Sequence, residues 1–454
     1  MASDAIDPAR RLQSCYPPTM NTPPPEISIS NQVARQFLLG RQGLWPGRRW
    51  RGKAGTRTAI ETLQSVQMDP VTIVARSHDL ALWNRVEGYQ PQHLQKVMYD
   101  DRNAFDYGGV LSVLPTSELP HWRLHMERRR SDSTFLELIT DTGDLPQEVM
   151  ALVEQHGPLS AKEVTRLLVE SGREARSTIS GSARGSYRSK SAAGRVVYQL
   201  WLTGELMTHH RDGFERVVDL AERVDPQSLL QTLPEADTEH FFALKALRRL
   251  GLATLRSWRN TMSYYLNRSV KAPEGADWLA KLVDDELAVV VDVEGHKSSY
   301  FLPAEELKRL RRLRKGAIPG GWTCHGPSTS DEVRLLSPLD HIASRERAQA
   351  FFGFEQIWEI YKPAPERRYG PYTMPLLFGD ELVGRVDPRL DRATSTMHIN
   401  GIWLEDPDLE SDESFMGALS AGLRSFATFH EATSIEVYQT SFKGGADHLN
   451  LELA

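Results

Sequence analysis

The chain has 454 residues, of which 40% are hydrophobic and 25% charged, so it is long enough for several domains and is neither disordered nor fibrous. Its formal net charge of -6 excludes a uniformly basic surface, so a nucleic-acid site would need local clusters of Arg and Lys. It contains two cysteines and no run of about 18 apolar residues, which argues against a disulfide framework, a structural zinc site and a membrane span.

The N-terminal part is predicted to contain a tail and a first folded unit. Residues 1–26 end in three consecutive prolines, which favour an extended coil, so we expect a flexible tail. Residues 27–145 follow as the first unit. A helix is predicted to begin near Ser30 and a second to run from Thr58 to Val66, and the stretch from Phe105 to Leu114 resembles a strand.

The clearest architectural pattern lies in residues 146–230. Helices are predicted around Val149–Val153, over 161–169 and over 193–203. Two strand-like stretches then flank Asp212-Gly213, a strong hairpin turn. Three helices followed by a β-hairpin is the order of a winged helix-turn-helix.

A related order recurs in residues 231–330. Helical stretches at 240–250 and 276–283 precede a predicted hairpin around Glu294-Gly295. Because residues 27–145 can be interpreted in the same way, we expect three imperfect copies of the winged helix-turn-helix unit.

The C-terminal segment, residues 331–454, has a different pattern and is predicted to be an α+β closing domain. A helix is expected near 415–429. Short strands are predicted over 356–361, 372–378, 382–386 and 395–403.

Three basic stretches qualify as candidate polyanion sites. The interval 175–204 lacks acidic residues and includes Arg184, Arg188, Lys190 and Arg195. The interval 240–273 also lacks acids, and the run 308–315, with Arg309 and Arg312, is the densest. Each run taken alone fits a solvated helix face equally well, but three runs in predicted winged helices favour nucleic acid.

Several familiar catalytic motifs are excluded. Gly47–Ala54 resembles a P-loop, but Ala54 stands where Ser or Thr must hold magnesium, and no buried strand precedes it. The 14 histidines show no pair on one helix face suited to catalytic zinc, and no Gly-x-Ser-x-Gly elbow occurs. We therefore expect no metal and no organic cofactor.

The remaining candidate is Gln67-Met68-Asp69-Pro70. Pro70 favours an extended backbone before it, and in an extended stretch the side chains of Gln67 and Asp69 point to the same side. Such a pair can hold one water, which the amide orients while the carboxylate accepts its proton or stabilises a cationic sugar. The alternative is that Asp69 caps a helix starting at Pro70 and that Gln67 is a surface residue.

At these residues the sequence resembles a known family. The segment from Gln67 to Arg85, together with Leu335–Asp340, Glu359–Gly370 and Leu382–Asp387, is similar to the YcaQ/AlkZ-like winged-helix DNA glycosylases, which excise alkylated purines and unhook DNA interstrand crosslinks. The resemblance implies an α+β fold with three winged helices around a concave basic DNA channel. It also implies a catalytic pair of the Gln-x-Asp type.

The resemblance leads to a hypothesis of monofunctional hydrolysis of N7-modified purines in double-stranded DNA, in base-excision repair. We expect a monomer that acts in the cytoplasm with the nucleoid, without membrane association. The DNA contacts are predicted at Arg76, Arg184, Arg188, Lys190, Arg195, Arg309, Arg312, Arg345 and Arg368. Two alternatives stay open at this point: a non-catalytic winged-helix regulator, selective for one operator, and a scaffold that does not bind DNA.

Overall fold

The computed structural model describes residues 24–172, 191–229, 233–442 and 449, and within them the fold is mixed α+β, as predicted. The first part comprises β1 (Ile27–Ile29), α1 (Asn31–Arg41), β2 (Trp50–Arg51), α2 (Gly52–Leu63), β3 (Val66–Gln67), α3 (Ser77–Trp83), β4 (Val86–Glu87), α4 (Pro91–Gln95), a π-helical turn (Lys96–Asp100), β5 (Ala104–Tyr107), β6 (Ser112–Pro115), a 3-10 turn (Thr116–Glu118), α5 (Leu119–Arg130) and α6 (Ser133–Thr142). The second part comprises α7 (Leu145–His156), β7 (Leu159–Ser160), α8 (Ala161–Glu170), α9 (Ala192–Leu202), β8 (Leu206–Asp212), β9 (Glu215–Leu220), α10 (Ala221–Val224) and α11 (Pro226–Leu229).

The later elements continue the alternation of helices and strands. The third part comprises α12 (Glu235–Leu250), α13 (Leu255–Tyr265), α14 (Ala272–Asp284), β10 (Ala288–Val293), β11 (Tyr300–Pro303), a 3-10 turn (Ala304–Glu306) and α15 (Leu307–Arg314). The last part comprises β12 (Arg334–Leu335), α16 (Arg345–Phe352), a 3-10 turn (Ala364–Glu366), β13 (Met374–Phe378), β14 (Glu381–Asp391), β15 (Thr396–Leu404), a 3-10 turn (Pro407–Ser411), α17 (Glu413–Phe429) and β16 (Ser434–Val437).

The elements predicted in residues 146–220 are present in the predicted order. Helix α8 begins where expected because Ser160 and Glu163 form a reciprocal cap: each side chain accepts a hydrogen bond from the other residue's backbone N–H, at 3.2 and 2.7 Å. Strands β8 and β9 pair antiparallel around Asp212-Gly213, which confirms the hairpin. The grouping of these elements into a winged-helix unit stays a prediction, as does the division of the chain into a tail and four folded segments. Residues 1–23 of the predicted tail lie outside the described residues.

Three local predictions were wrong. Residues 356–361 form no strand, because the buried carboxylate of Glu359 accepts the backbone N–H groups of Arg368 and Tyr369, both at 2.9 Å, and thereby holds a loop. The second helix spans Gly52–Leu63 instead of running to Val66, since Gln64 adopts a left-handed conformation that ends it. The stretch from Phe105 to Leu114 is a hairpin of two strands, β5 and β6.

The sheets connect distant parts of the chain. Strand β1 pairs in parallel with β10, so it forms a three-stranded sheet with β10 and β11. The largest sheet has the order β12-β13-β14-β15-β16, and a small sheet of order β3-β6-β5 contains the Gln67 segment. Among the described residues, no helix combines the length and the apolar character that a membrane span needs.

Three apolar cores stabilise these sheets. The core beneath β3 includes Val66 and Met68 and continues into the C-terminal part through Phe415 and Phe426. Residues far apart in sequence therefore stabilise the Gln67 strand. This strand is placed by tertiary packing, since two residues alone cannot form a stable strand.

The α1 helix provides a test of close packing. A Cβ added at Gly40 would overlap the Trp322 ring, whereas a Cβ added at Gly417, in the exposed part of α17, would meet nothing within 4 Å. We expect Gly40→Ala to lower the free energy of unfolding by about 1–3 kcal/mol through overpacking. The control, Gly417→Ala, should raise it by up to ~1 kcal/mol because alanine favours helix. Urea unfolding of both variants measures the difference, and equal stabilities would contradict the packing of α1 against Trp322.

Candidate active site and nucleic-acid interface

The Gln67 segment is an extended strand at the edge of a small sheet. Gln67 lies opposite Ser112 of β6, and the Met68 amide donates to the carbonyl of Leu111 at 2.8 Å. Val66 and Met68 are buried, while Gln67 and Asp69 are partly exposed. This alternation places Gln67 and Asp69 on the same face, as the sequence predicted.

Asp69 forms a turn and does not cap a helix. Its Oδ1 accepts the backbone N–H of Val71 at 2.9 Å, and the next helix, α3, begins only at Ser77. The expectation that Pro70 starts a helix was therefore wrong, because the carboxylate stabilises an Asx turn instead. Among the described residues, Oδ2 has no protein hydrogen bond, so it is available to a water or a ligand.

A pocket with about 240 Å³ of empty space lies on the Gln67 side of the strand. Gln67, Ser77 and His341 line it together with the buried ion pair of Arg85 and Asp340. This pair is bidentate, with N–O distances of 2.7 and 2.9 Å. The fork geometry fixes both side chains and joins α3 to the C-terminal part of the chain.

Cationic side chains surround this pocket. Desolvation, followed by the charges of Arg249 and Arg347, holds the pKa of His341 well below its usual value, so the ring is neutral at pH 7. Arg249 donates from Nε to the Ser65 hydroxyl at 3.0 Å, two residues before Gln67. Arg347 donates to the carbonyl of Leu250 at 2.9 Å, so both arginines near the pocket make hydrogen bonds within the protein.

A second pocket, with about 410 Å³ of empty space, lies on the Met68 side. The tip of the β8–β9 hairpin closes it: the Phe214 ring lies between the guanidinium groups of Arg76 and Arg211, 5.3 and 5.0 Å from its centroid. His78, which is 5% exposed, also lines the pocket, and its Nδ1 has no partner among the described residues. The hairpin predicted from Asp212-Gly213 thus reaches the candidate motif.

Comparison with known proteins identifies the family. A family model described as DNA glycosylase AlkZ-like matches residues 60–429, which is most of the chain. The chain belongs to the AlkZ-like DNA glycosylase family. The enzyme is therefore a DNA glycosylase of DNA repair, and its substrate is DNA.

A solved structure, the Streptomyces sahachiroi DNA glycosylase AlkZ, is similar to this glycosylase in fold. The TM-score is 0.59 with 16% sequence identity, over 91% of this chain and 100% of that chain. The family predicted from the Gln67 segment is confirmed, and neither comparison supports the regulator alternative.

The structure shows where most of the predicted DNA-binding residues of the glycosylase lie. Arg76 is partly exposed at the start of α3, and Arg195 is partly exposed in the first turn of α9. Arg368 is exposed, stacks at 4.7 Å on the Tyr369 ring and lies 3.7 Å from Glu355. The other exposed positions are Arg309, Arg312 and Arg345. Three predicted positions, Arg184, Arg188 and Lys190, lie outside the described residues.

The basic run 240–273 is largely paired within the protein. Lys245 forms an ion pair with Glu118 at 2.7 Å, and Arg248 pairs with Glu305 at 3.0 Å. Arg268 pairs with carboxylates on α12 and α14. Many cations of this run thus neutralise carboxylates of the protein itself, so the run is a weaker candidate for DNA binding.

Sequence reasoning did not select several residues that lie beside the motif. His341 lines the Gln67 pocket with Arg347 near it, and Arg211 and Phe214 close the Met68 pocket. The one local signal was Phe214, an aromatic residue placed directly after a hairpin turn. Within the described parts of the chain, no three His, Cys, Asp or Glu side chains are grouped to hold a metal ion.

A buried carboxylate anchors the β8–β9 hairpin, and its contribution to stability can be tested. Asp106 of β5 pairs with Arg211 and lies 3.8 Å from Arg216. Burial alone would raise the pKa of Asp106, but the two arginines outweigh it, so the pKa lies below its ordinary value of 3.8. We expect Asp106→Asn to lower the free energy of unfolding by about 3 kcal/mol at pH 7, because it leaves buried cations unpaired.

The pH dependence follows from the sign of that shift. A depressed carboxyl pKa contributes stability above its unfolded value, so the difference between wild type and Asp106→Asn should shrink as pH falls below about 4. Asp101→Asn, which breaks an exposed pair with Lys53, is the control and should cost less than about 1 kcal/mol. Urea unfolding at pH 7 and pH 3 measures both, and equal losses for the two variants would contradict the anchoring role of Asp106.

Proposed function

We propose that this enzyme is a monofunctional glycosylase that hydrolyses the N-glycosidic bond of N7-alkylated purines in duplex DNA. The observation that carries the proposal is that Gln67 and Asp69 are partly exposed and alternate with the buried Val66 and Met68, while Gln67 also lines a pocket beside the strand. Asp69 and Gln67 hold the attacking water. The carboxylate is the catalytic base and the amide orients the water oxygen.

The chemistry requires one carboxylate and no general acid. Alkylation at N7 gives the purine a positive charge, so the base leaves neutral when its bond to C1′ breaks and takes the bonding electrons with it. The water oxygen forms the new bond to C1′, and its proton passes to Asp69 and then to solvent. Negative charge at Asp69 stabilises the oxocarbenium-like transition state, which the surrounding arginines would otherwise destabilise.

A lyase step is not part of the proposal. Such a step needs an accessible amine that attacks C1′. Lys245 contacts the chain three residues before Gln67, but its amine is 1% exposed and paired with Glu118. An amine buried in this way cannot reach the sugar, so Lys245 is not the nucleophile of a lyase step, and we propose an intact strand with an abasic site as the product.

The family resemblance leads us to propose bulky lesions as substrates as well. Both pockets beside the motif are small and open to solvent, so a large substituent at N7 would extend outside them. We infer that interstrand crosslinks are substrates and that the monomer grips DNA through winged-helix units around a concave channel. The phosphate contacts that we propose are Arg76, Arg184, Arg188, Lys190, Arg195, Arg309, Arg312, Arg345 and Arg368.

The central residue is tested by Asp69→Asn. Asparagine keeps the Asx-turn acceptor but loses the charge and the base, so single-turnover release of N7-methylguanine should fall by at least ~100-fold. DNA affinity should stay within a few-fold. The control is Asp406→Asn, because Asp406 forms the same turn, at 3.0 Å to the Asp408 amide, on an exposed loop. Full activity of Asp69→Asn would remove Asp69 from the mechanism.

The monofunctional mechanism is tested on the product. The enzyme is incubated with an N7-methylguanine duplex and the strand is analysed with and without alkali. We expect cleavage only after alkali, and no covalent enzyme–DNA adduct after borohydride. A borohydride-trapped adduct would overturn hydrolysis as the only step.

A further inference from the structure

The strand that holds Gln67 has very little hydrogen bonding of its own. It forms two residue pairs with β6, Val66 with Val113 and Gln67 with Ser112, followed by the hydrogen bond from the Met68 amide. A slip of one residue along this ladder would turn the opposite set of side chains to the open face. Contacts beyond the ladder must therefore set its register.

Helix α12 supplies such a contact at the start of the strand. The Lys245 amine donates to the carbonyl of Gln64 at 2.6 Å and to the carboxylate of Glu118 at 2.7 Å. Gln64 comes two residues before β3, and Glu118 ends the 3-10 turn that follows β6. Because the two strands run antiparallel, both groups lie beyond the same end of the ladder, and Lys245 joins them there.

A second contact from the same helix acts on the next residue. Arg249 lies four positions after Lys245, on the same face of α12, and its Nε donates to the Ser65 hydroxyl at 3.0 Å. Gln64 itself has a φ of 65°, which is unfavourable for a residue with a side chain. The two residues before β3 are therefore both held by α12, and one of them has a conformation that needs support.

We propose that Lys245 and Arg249 are positioning residues for base excision, which fix the register of β3 so that Gln67 and Asp69 face the open side. The inference rests on the proposed function, since it assigns these residues to the same site. Neither residue touches the reacting atoms: Lys245 is fully buried, and Arg249 acts through Ser65. Part of the basic run 240–273 thus acts on the motif and not on DNA.

The test separates positioning from general stability. The variant Lys245→Met with Glu118→Gln removes the contact without leaving a buried charge unpaired. The matched control is Arg128→Met with Glu239→Gln, because Arg128 likewise joins a carboxylate of α12 to a backbone carbonyl, at 2.7 and 3.0 Å. Each pair is combined with Gln67→Ala, and single-turnover excision from an N7-methylguanine duplex is measured well below every melting temperature.

We expect the Lys245/Glu118 variant to excise at least tenfold more slowly, with DNA affinity unchanged, and to cause a smaller further loss in the Gln67→Ala background, where only Asp69 is left to be misplaced. The Arg128/Glu239 control should stay within twofold of wild type. A loss that adds fully to that of Gln67→Ala, or a rate within twofold of wild type, would overturn the inference. If Gln67→Ala itself is fully active, the role assigned to Gln67 fails. If wild type releases no N7-methylguanine, the proposed function fails instead.

A second variant and an activity-independent measurement cover the remaining outcomes. Ser65→Ala removes only the Arg249 contact and should slow excision about threefold to tenfold while the protein stays folded. Amide hydrogen exchange reports the strand directly, and the Met68 amide should exchange faster in the Lys245/Glu118 variant than in the control. Unchanged exchange at Met68 would exclude a role of Lys245 in holding β3, whatever the result for Gln67.

Discussion

The site depends on a two-residue strand whose pairing with β6 decides which side chains reach solvent. Val66 and Met68 enter the apolar core below it, and Gln67 and Asp69 are therefore left on the open face. Reversing this arrangement would cost a large free energy, since it would bury a carboxylate and an amide and expose two apolar side chains. On the proposed function, base excision thus depends on the register of a very short β ladder.

The charge distribution around that strand serves two different purposes. Burial and, after it, the charges of Arg249 and Arg347 keep His341 neutral, while both arginines make hydrogen bonds within the protein. On the proposed mechanism, the carboxylate of Asp69 supplies the negative charge that stabilises a cationic sugar at the reacting carbon. The net charge of -6 does not show where individual charges lie. Carboxylates such as Glu118 and Glu305, for example, pair with cations elsewhere in the protein.

The sequence predicted what local pattern and turn chemistry control. Alternation before Pro70 placed Gln67 and Asp69 on one face, and Asp212-Gly213 identified the hairpin. Contacts between residues far apart in sequence could not be predicted. No residue near Phe214 in the sequence indicates that its ring contacts Arg76. Lys245 lies in a basic run and was grouped with possible DNA contacts, but in the structure it pairs with Glu118. The wrong strand at 356–361 has the same cause, since a tertiary contact decided it. Helix α13 was missed although its signal is local: Thr254 and Ser257 form a capping box, and Trp258, Met262 and Tyr265 are buried at helical spacing.

The central claim is that Asp69 stabilises positive charge on the sugar. Its most direct test compares the affinity of the enzyme for DNA containing a cationic iminosugar with its affinity for DNA containing a neutral tetrahydrofuran at the same position. The account predicts at least tenfold tighter binding of the iminosugar by wild type, and loss of that preference in Asp69→Asn. Equal affinity of wild type for the two DNAs would contradict it.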